Sequence, residues 1–264
     1  MTWRKAGADC RTAGPAHAPS PGRYSARMNP LPTLIQVLPA ADWVALVLFF
    51  AAWAGYATFA RRRSTVRPSL LALTNRERVR WMLQTTLRDN RVIDGVVVQN
   101  LSTSPSFFAS TTILIIGGLL AVLSTTEQAS AIVQEIPFAA RTSVLVFDLK
   151  IVLLTAVFVY AFFRFTWSLR QYTFGALLVA AAPPHEAFAD EARRSAFASR
   201  AGRVMGLAAE TFNDGLRAYY MAFAAVAWFF SPWAFMAGTA GVVFVLYRRE
   251  FHSDVLAVLA EGGD

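Results

Sequence analysis

The sequence predicts an all-α, multi-pass helical membrane bundle of four to five transmembrane helices, with interfacial helices on the cytoplasmic side. Three observations predict it. First, four long apolar stretches cover residues 43–60, 107–123, 144–163 and 219–247. At about 1.5 Å rise per residue, a helix of roughly 17 to 25 residues crosses a hydrocarbon core of about 30 Å. Second, 55% of the 264 residues are hydrophobic and 16% are charged, with a mean hydropathy of +0.41; a soluble domain carries roughly 25% charge. Third, the apolar residues come in blocks, where a soluble core would space them periodically. One membrane domain over residues 28–264 accounts for the length.

Residues 1–27 are rich in Ala, Pro, Gly and Arg and lack apolar periodicity, the composition of a disordered segment. From Met28 to Ala41 no charge occurs. The reading is that translation starts at Met28 and that residues 1–27 are a gene-model extension. The first apolar run, residues 43–60, ends in Arg61-Arg62-Arg63. A cleaved signal peptide would need small residues and a cleavage site there, so the run reads as a span.

The next gap is the most basic, with Arg61, Arg62, Arg63, Arg67, Arg76, Arg78, Arg80, Arg88 and Arg91 against Glu77, Asp89 and Asp94. Thr74-Asn75-Arg76-Glu77 has the capping-box pattern, which predicts a helix starting at Thr74. Val79, Met82, Leu83, Thr86 and Leu87 follow at helical spacing, with Arg76, Arg80, Arg88 and Arg91 on another face. Those four arginines are candidate contacts to anionic lipid headgroups; a solvated face on a helix packed against the bundle is the competing reading. Gly95 and residues 102–106 around Pro105 predict a turn region before the second span, residues 107–123. Ser110, Gly117, Ala121 and Ser124 predict close packing of that span, most commonly against another helix of the same chain.

The gap after the second span carries Glu127, Glu135 and only Arg141. The third span, residues 144–163, reads as continuing in helix to Pro183-Pro184, with Asp148 and Lys150 about one turn inside its external end. Arg164, Arg170, Arg193, Arg194, Arg200 and Arg203 make the following gap basic again. Bases flanking spans stay cytoplasmic, so the gaps alternate cytoplasmic, external, cytoplasmic, with the amino terminus outside. The last stretch is too long for one span and contains Ser231-Pro232, which predicts a break. A hairpin, with spans at about 211–230 and 233–247 and an incoming helix beginning near Met205, returns Arg248-Arg249 to the cytoplasm. One kinked span is the alternative.

Arg203, Glu210, Asp214 and Arg217 recur on one helical face, with Asn213 beside them. The sharp prediction is that Glu210, Asn213, Asp214 and Arg217 meet Arg164 and Gln171 in a buried polar cluster able to bind a small solute or relay protons. The plain prediction is that such residues snorkel and pair locally, holding helix register.

His17, His185 and His252 are isolated, and Cys10 is the single cysteine, so no metal site and no cofactor are expected. No phosphate-binding loop, nucleophile elbow or carboxylate pair occurs, and no enzyme is expected. The 25 Lys and Arg against 17 Asp and Glu cluster where apolar segments end, which speaks for orientation in a bilayer and against nucleic acid.

Arg80-Trp81-Met82, the stretch from Asn90 to Asn100, Phe107-Phe108-Ala109-Ser110-Thr111-Thr112, Arg217-Ala218-Tyr219-Tyr220, Ser231-Pro232-Trp233 and Tyr247-Arg248-Arg249-Glu250-Phe251 resemble the integral membrane proteins grouped as domain of unknown function 599. The resemblance covers about Asp42 to Leu259. It implies the membrane fold and no particular activity. Two functional classes follow: a structural or accessory protein of a bacterial inner membrane, its partners the bilayer, a second copy or an unidentified membrane protein; or a small-solute or proton-coupled transporter using the polar cluster. The absence of an internal repeat between the halves weighs against transport.

Overall fold

Local chemistry sets where the helices begin. In this computed structural model, which describes residues 38–63, 69–135 and 142–261, the hydroxyls of Ser69, Ser143 and Ser231 accept from Ala72 N, Val146 N and Ala234 N. The Asp190 carboxylate accepts from Arg193 N at 2.7 Å. Each satisfies a backbone donor that a helix start leaves free. The helices are α1 (Ala40–Arg63), α2 (Leu70–Thr85), α3 (Val92–Ser124), α4 (Thr126–Glu135), α5 (Val144–Ala180), α6 (Glu191–Val226), α7 (Pro232–Phe251) and α8 (Asp254–Glu261). Short 3-10 turns lie at His185–Ala187 and Ala227–Phe229, and no strand occurs among the described residues. The proposed start at Met28 and the segment 1–27 lie outside those residues.

Several predicted boundaries move. The basic helix begins at Leu70, not at Thr74, because Ser69 takes the capping role. Thr74 lies a turn inside, its hydroxyl donating to Leu70 O at 2.9 Å, while Glu77 pairs sideways with Arg80 at 2.7 Å. The turn predicted around Gly95 and Pro105 is instead continuous helix from Val92. Pro105 removes one backbone donor, yet it is buried, and the packing of α3 along α5 outweighs the lost bond. The incoming helix starts at Glu191, well before Met205, because its first turns bury Ala198, Ala201 and Gly202. Helix α4 falls in a gap for which no helix was predicted.

The chain doubles back at Ser231-Pro232, where Pro232 occupies the first turn of α7 and loses no helical bond. The return is antiparallel: a Cβ on Gly238 would lie 3.5 Å from Ala224 Cα, and Arg249 Nη1 reaches Tyr220 Oη at 3.0 Å.

Helix α6 is the axis of the bundle. It packs against α5, α2 and α7, while α3 lies on α5 and α1 on α7. Three of the described helices are long and apolar enough to cross a membrane: Ala40–Ala60, Val92–Ser124 and Val144–Ala180. The predicted spans at 211–230 and 233–247 lie on α6 and α7, which do not meet that measure.

Small residues decide how close α2 comes. A Cβ on Gly202 would sit 2.7 Å from Val79 Cα, and one on Gly206 would sit 2.9 Å from Asn75 Oδ1. One turn apart on α6, the two glycines let the α2 backbone lie directly on the helix. Ser168 Oγ donates to Ala208 O at 2.8 Å and pins α5 to α6 in the same layer. By contrast, the four small residues of α3 that the sequence singled out lie exposed, whereas Ala109 is buried. A Cβ added to Gly117 would find nothing within 4 Å, and Ser110, Ala121 and Ser124 are exposed, so the expected intramolecular packing there is absent among the described residues.

The interior is aromatic. Phe165 stacks on Phe108 at 5.3 Å and meets Tyr219 at 5.5 Å. Trp228 stacks on Phe235 at 5.4 Å, and Phe235 lies 5.0 Å from Phe49 of α1.

Gly202→Ala is expected to lower stability by about 1–3 kcal/mol, because Val79 backbone must shift. Gly117→Ala, at an open helical position, is expected to be neutral or stabilising by up to about 1 kcal/mol. Thermal denaturation of the detergent-solubilised protein measures both.

Candidate functional site

Asp214 of α6 is almost fully buried, and among the described side chains Arg164 and Arg217 both bond its carboxylate. Arg164 Nη2 from α5 bonds Oδ2, and Arg217 Nη1, one helical turn on, donates to Oδ1 at 3.1 Å. The Arg217 guanidinium also lies 5.6 Å from the Tyr56 ring centroid of α1, near enough for a cation–π contact. One carboxylate therefore ties α5 and α6 and, through Arg217, meets α1. The i,i+3 spacing of Asp214 and Arg217 puts them on one face of α6; the contact with Arg164 comes from the packing of α5.

The predicted cluster divides here. Glu210 turns to α2 and accepts from Asn75 Nδ2 at 3.1 Å. Asn75 Oδ1 accepts from Arg78 Nη1 at 2.8 Å, which also donates to Thr74 Oγ1 at 3.1 Å. Gln171 Oε1 and Arg164 Nε are buried and have no hydrogen-bond partner among the described residues. Burial pushes the Arg78 guanidinium pKa below its ordinary value, opposed by the charges of Tyr172 and Glu210.

Between the two networks lies a cavity of about 200 Å³. Arg78 of α2, Arg217 and Tyr220 of α6, Arg249 and Glu250 of α7, and Tyr56 of α1 line it, and Asn213 completes the polar wall. Four helices thus meet around one basic concavity.

The model for DUF599, a protein family of unknown function, matches residues 44–255. The chain belongs to the DUF599 family. No curated protein and no solved structure matches it. The arginine-lined cavity of this DUF599 protein lies within the matched segment, as do nearly all residues of its three bilayer-length helices.

The four arginines proposed for lipid contact have different surroundings. Arg88 Nη1 bonds Asp94 Oδ1 at 2.6 Å, and Arg91 reaches past the end of α5 to the carbonyls of Ala182 and, at 2.8 Å, Pro183. Arg80 pairs with Glu77, both more than half exposed, and Arg76 is exposed. Asp94, fully buried, also accepts from Trp81 Nε1 at 2.6 Å and Thr85 Oγ1 at 3.0 Å. At the opposite end of α1, Asp42 accepts from Trp228 Nε1 at 2.5 Å, and Lys150 Nζ lies 5.5 Å from the Trp228 ring centroid. Asp148 accepts from Thr126 Oγ1 of α4 at 2.8 Å.

Sequence reasoning missed Asn75, Arg78, Tyr220, Arg249 and Glu250 as site residues. A usable signal was present: Thr74 and Asn75 each lie about one helical turn before Arg78, on the face opposite Arg76 and Arg80.

Trp81→Phe keeps an aromatic side chain, though a smaller one, and removes one of the three donors to the buried Asp94 carboxylate among the described residues. It is expected to cost about 1–3 kcal/mol, read as a lower thermal midpoint, whereas Arg80→Gln on the exposed face leaves stability within about 0.5 kcal/mol of its original value.

Proposed function

We propose that this chain is an accessory or scaffolding protein of a bacterial inner membrane, multi-pass, with its amino terminus outside and its carboxyl terminus in the cytoplasm. In this reading it is not an enzyme. The observation that carries it is the double claim on Asp214: both carboxylate oxygens are engaged by arginines, so the most deeply placed charges of α6 serve helix register. Orientation is supported by the clustering of bases. Arg78, Arg217 and Arg249 share one cavity, and in a bilayer that basic end belongs on the cytoplasmic side. Arg76 and Arg80, which face outward, are the residues left to meet anionic headgroups. A second copy or another membrane protein is the natural partner for the open α3 surface around Gly117.

Transport is the second reading, and the cavity beside Arg217 favours it. The readings separate at Asp214. Removing the charge of a counterion that two arginines share costs up to about 3–5 kcal/mol when a site is fully buried, less here because Arg164 and Arg217 are only partly buried. Asp214→Asn is therefore expected to lower membrane abundance and thermal midpoint together. Wild-type abundance with altered solute flux in the variant would instead establish transport.

Sidedness has its own measurement. In a Cys10→Ser background, Gln128→Cys is expected to react with a membrane-impermeant maleimide in intact cells, and Asn90→Cys only after the membrane is opened; both positions are exposed. The reverse pattern would invert the topology.

A further inference from the structure

We infer that the cavity enclosed by α1, α2, α6 and α7 is a binding site for a phosphate monoester. Three guanidiniums arrive from three helices, Arg78, Arg217 and Arg249, and among the described residues of the lining the only carboxylate is Glu250. Behind the lining, Asp214 is shared by Arg164 and Arg217, and Glu210 accepts from Asn75; with these included the surroundings still carry more guanidiniums than carboxylates, a balance that favours an anion.

The hydrogen bonds aim these groups without consuming them. Among the described residues, Arg78 donates through Nη1 to Thr74 and Asn75, Arg217 through Nη1 to Asp214, and Arg249 through Nη1 to Tyr220. Each guanidinium carries five N–H donors in a planar fork, so its Nε and Nη2 edge stays available. Tyr220 Oη accepts from Arg249, which leaves its own proton to donate. A carboxylate is satisfied by a single fork. A phosphate, with three terminal oxygens pointing in different directions, uses donors converging from several sides. The volume of about 200 Å³ and the leucines of the wall, Leu71 and Leu246 among them, leave room for a short organic group on the ester oxygen.

Glu250 sets the affinity. Its Oε1 accepts from Leu71 N at a long 3.4 Å, so its charge is only weakly engaged and opposes an incoming dianion. This site goes beyond the accessory reading, and its test reads ligand binding, whereas the Asp214 test reads abundance.

The phosphate could belong to a soluble ester or to the headgroup of a phosphatidate in the bilayer. The full-length protein in phosphatidylcholine nanodiscs, titrated with glycerol 3-phosphate, is expected to show a saturable rise in thermal midpoint that uncharged glycerol does not produce. If the rise appears only when phosphatidic acid is built into the nanodisc, the headgroup is the source; either result supports the site. Arg249→Gln removes an exposed side chain whose hydrogen bond is to Tyr220 and is expected to weaken binding roughly tenfold or more. Glu250→Gln is expected to strengthen it several-fold. No stabilisation from either phosphate source, or equal stabilisation of the Arg249→Gln protein, overturns the assignment.

Discussion

A carboxylate placed on the helix at the centre of a bundle has to be matched before that helix can be packed. Among the described side chains Asp214 is matched by Arg164 across the interface and by Arg217 on its own helix. The pairing sets α6 in rotation and height against α5, and Ser168 repeats the constraint about a turn and a half away by bonding Ala208 O. Once α6 is fixed in this way, its Gly202 and Gly206 face α2, its Gly215 faces Phe165 of α5, its Arg217 faces Tyr56, and the chain beyond it turns at Ser231. A charge in an apolar medium costs roughly 2.5–3.5 kcal/mol on insertion scales, so any other rotation of α6 would expose that cost.

Polar chemistry is sorted by position along the bundle. Asp42, Trp228 and Lys150 occupy one end, while Asp94 and its donors occupy the other, where Arg91 also binds carbonyls past the end of α5. Aromatic side chains fill the zone between them, where Thr112 Oγ1 and Tyr219 Oη, 2.7 Å apart, join α3 to α6. Arg164 and Asp214 lie between these ends along α5 and α6, next to the contact of Phe165 with Gly215, so the aromatic zone holds one matched charge cluster. The arginine-lined cavity lies where the paired charges of α6 meet the ends of α2 and α7, so its charge is held by the same contacts that hold the fold.

The two prolines show how far local reading reaches. Ser231-Pro232 was legible as a break because both residues favour the same event: serine caps the new helix and proline fits its first turn. Pro105 carried the same local signal and made no break, because the long contact of α3 with α5 holds the backbone helical through it. Thr74 and Glu77 likewise form a capping pattern, yet Ser69, earlier in the chain, is the residue that caps. A local pattern states what a residue can do, and packing selects among the options.

The sequence by itself determined that the fold is all-α, that apolar residues come in blocks of membrane length, and that Asp214 and Arg217 share a face; of the four to five spans it predicted, three helices among the described residues are long and apolar enough to cross a membrane. Block hydrophobicity and helical period are properties of neighbouring residues, so they need no partner to be read. Tertiary structure alone decided that Arg164 meets Asp214, that Glu210 leaves for Asn75, and that Arg78 and Arg249 converge on one cavity. Those meetings join residues far apart in the chain, on helices that share no local pattern. They depend on how closely α2 can lie against Gly202 and Gly206, a distance set by the shapes of both helices.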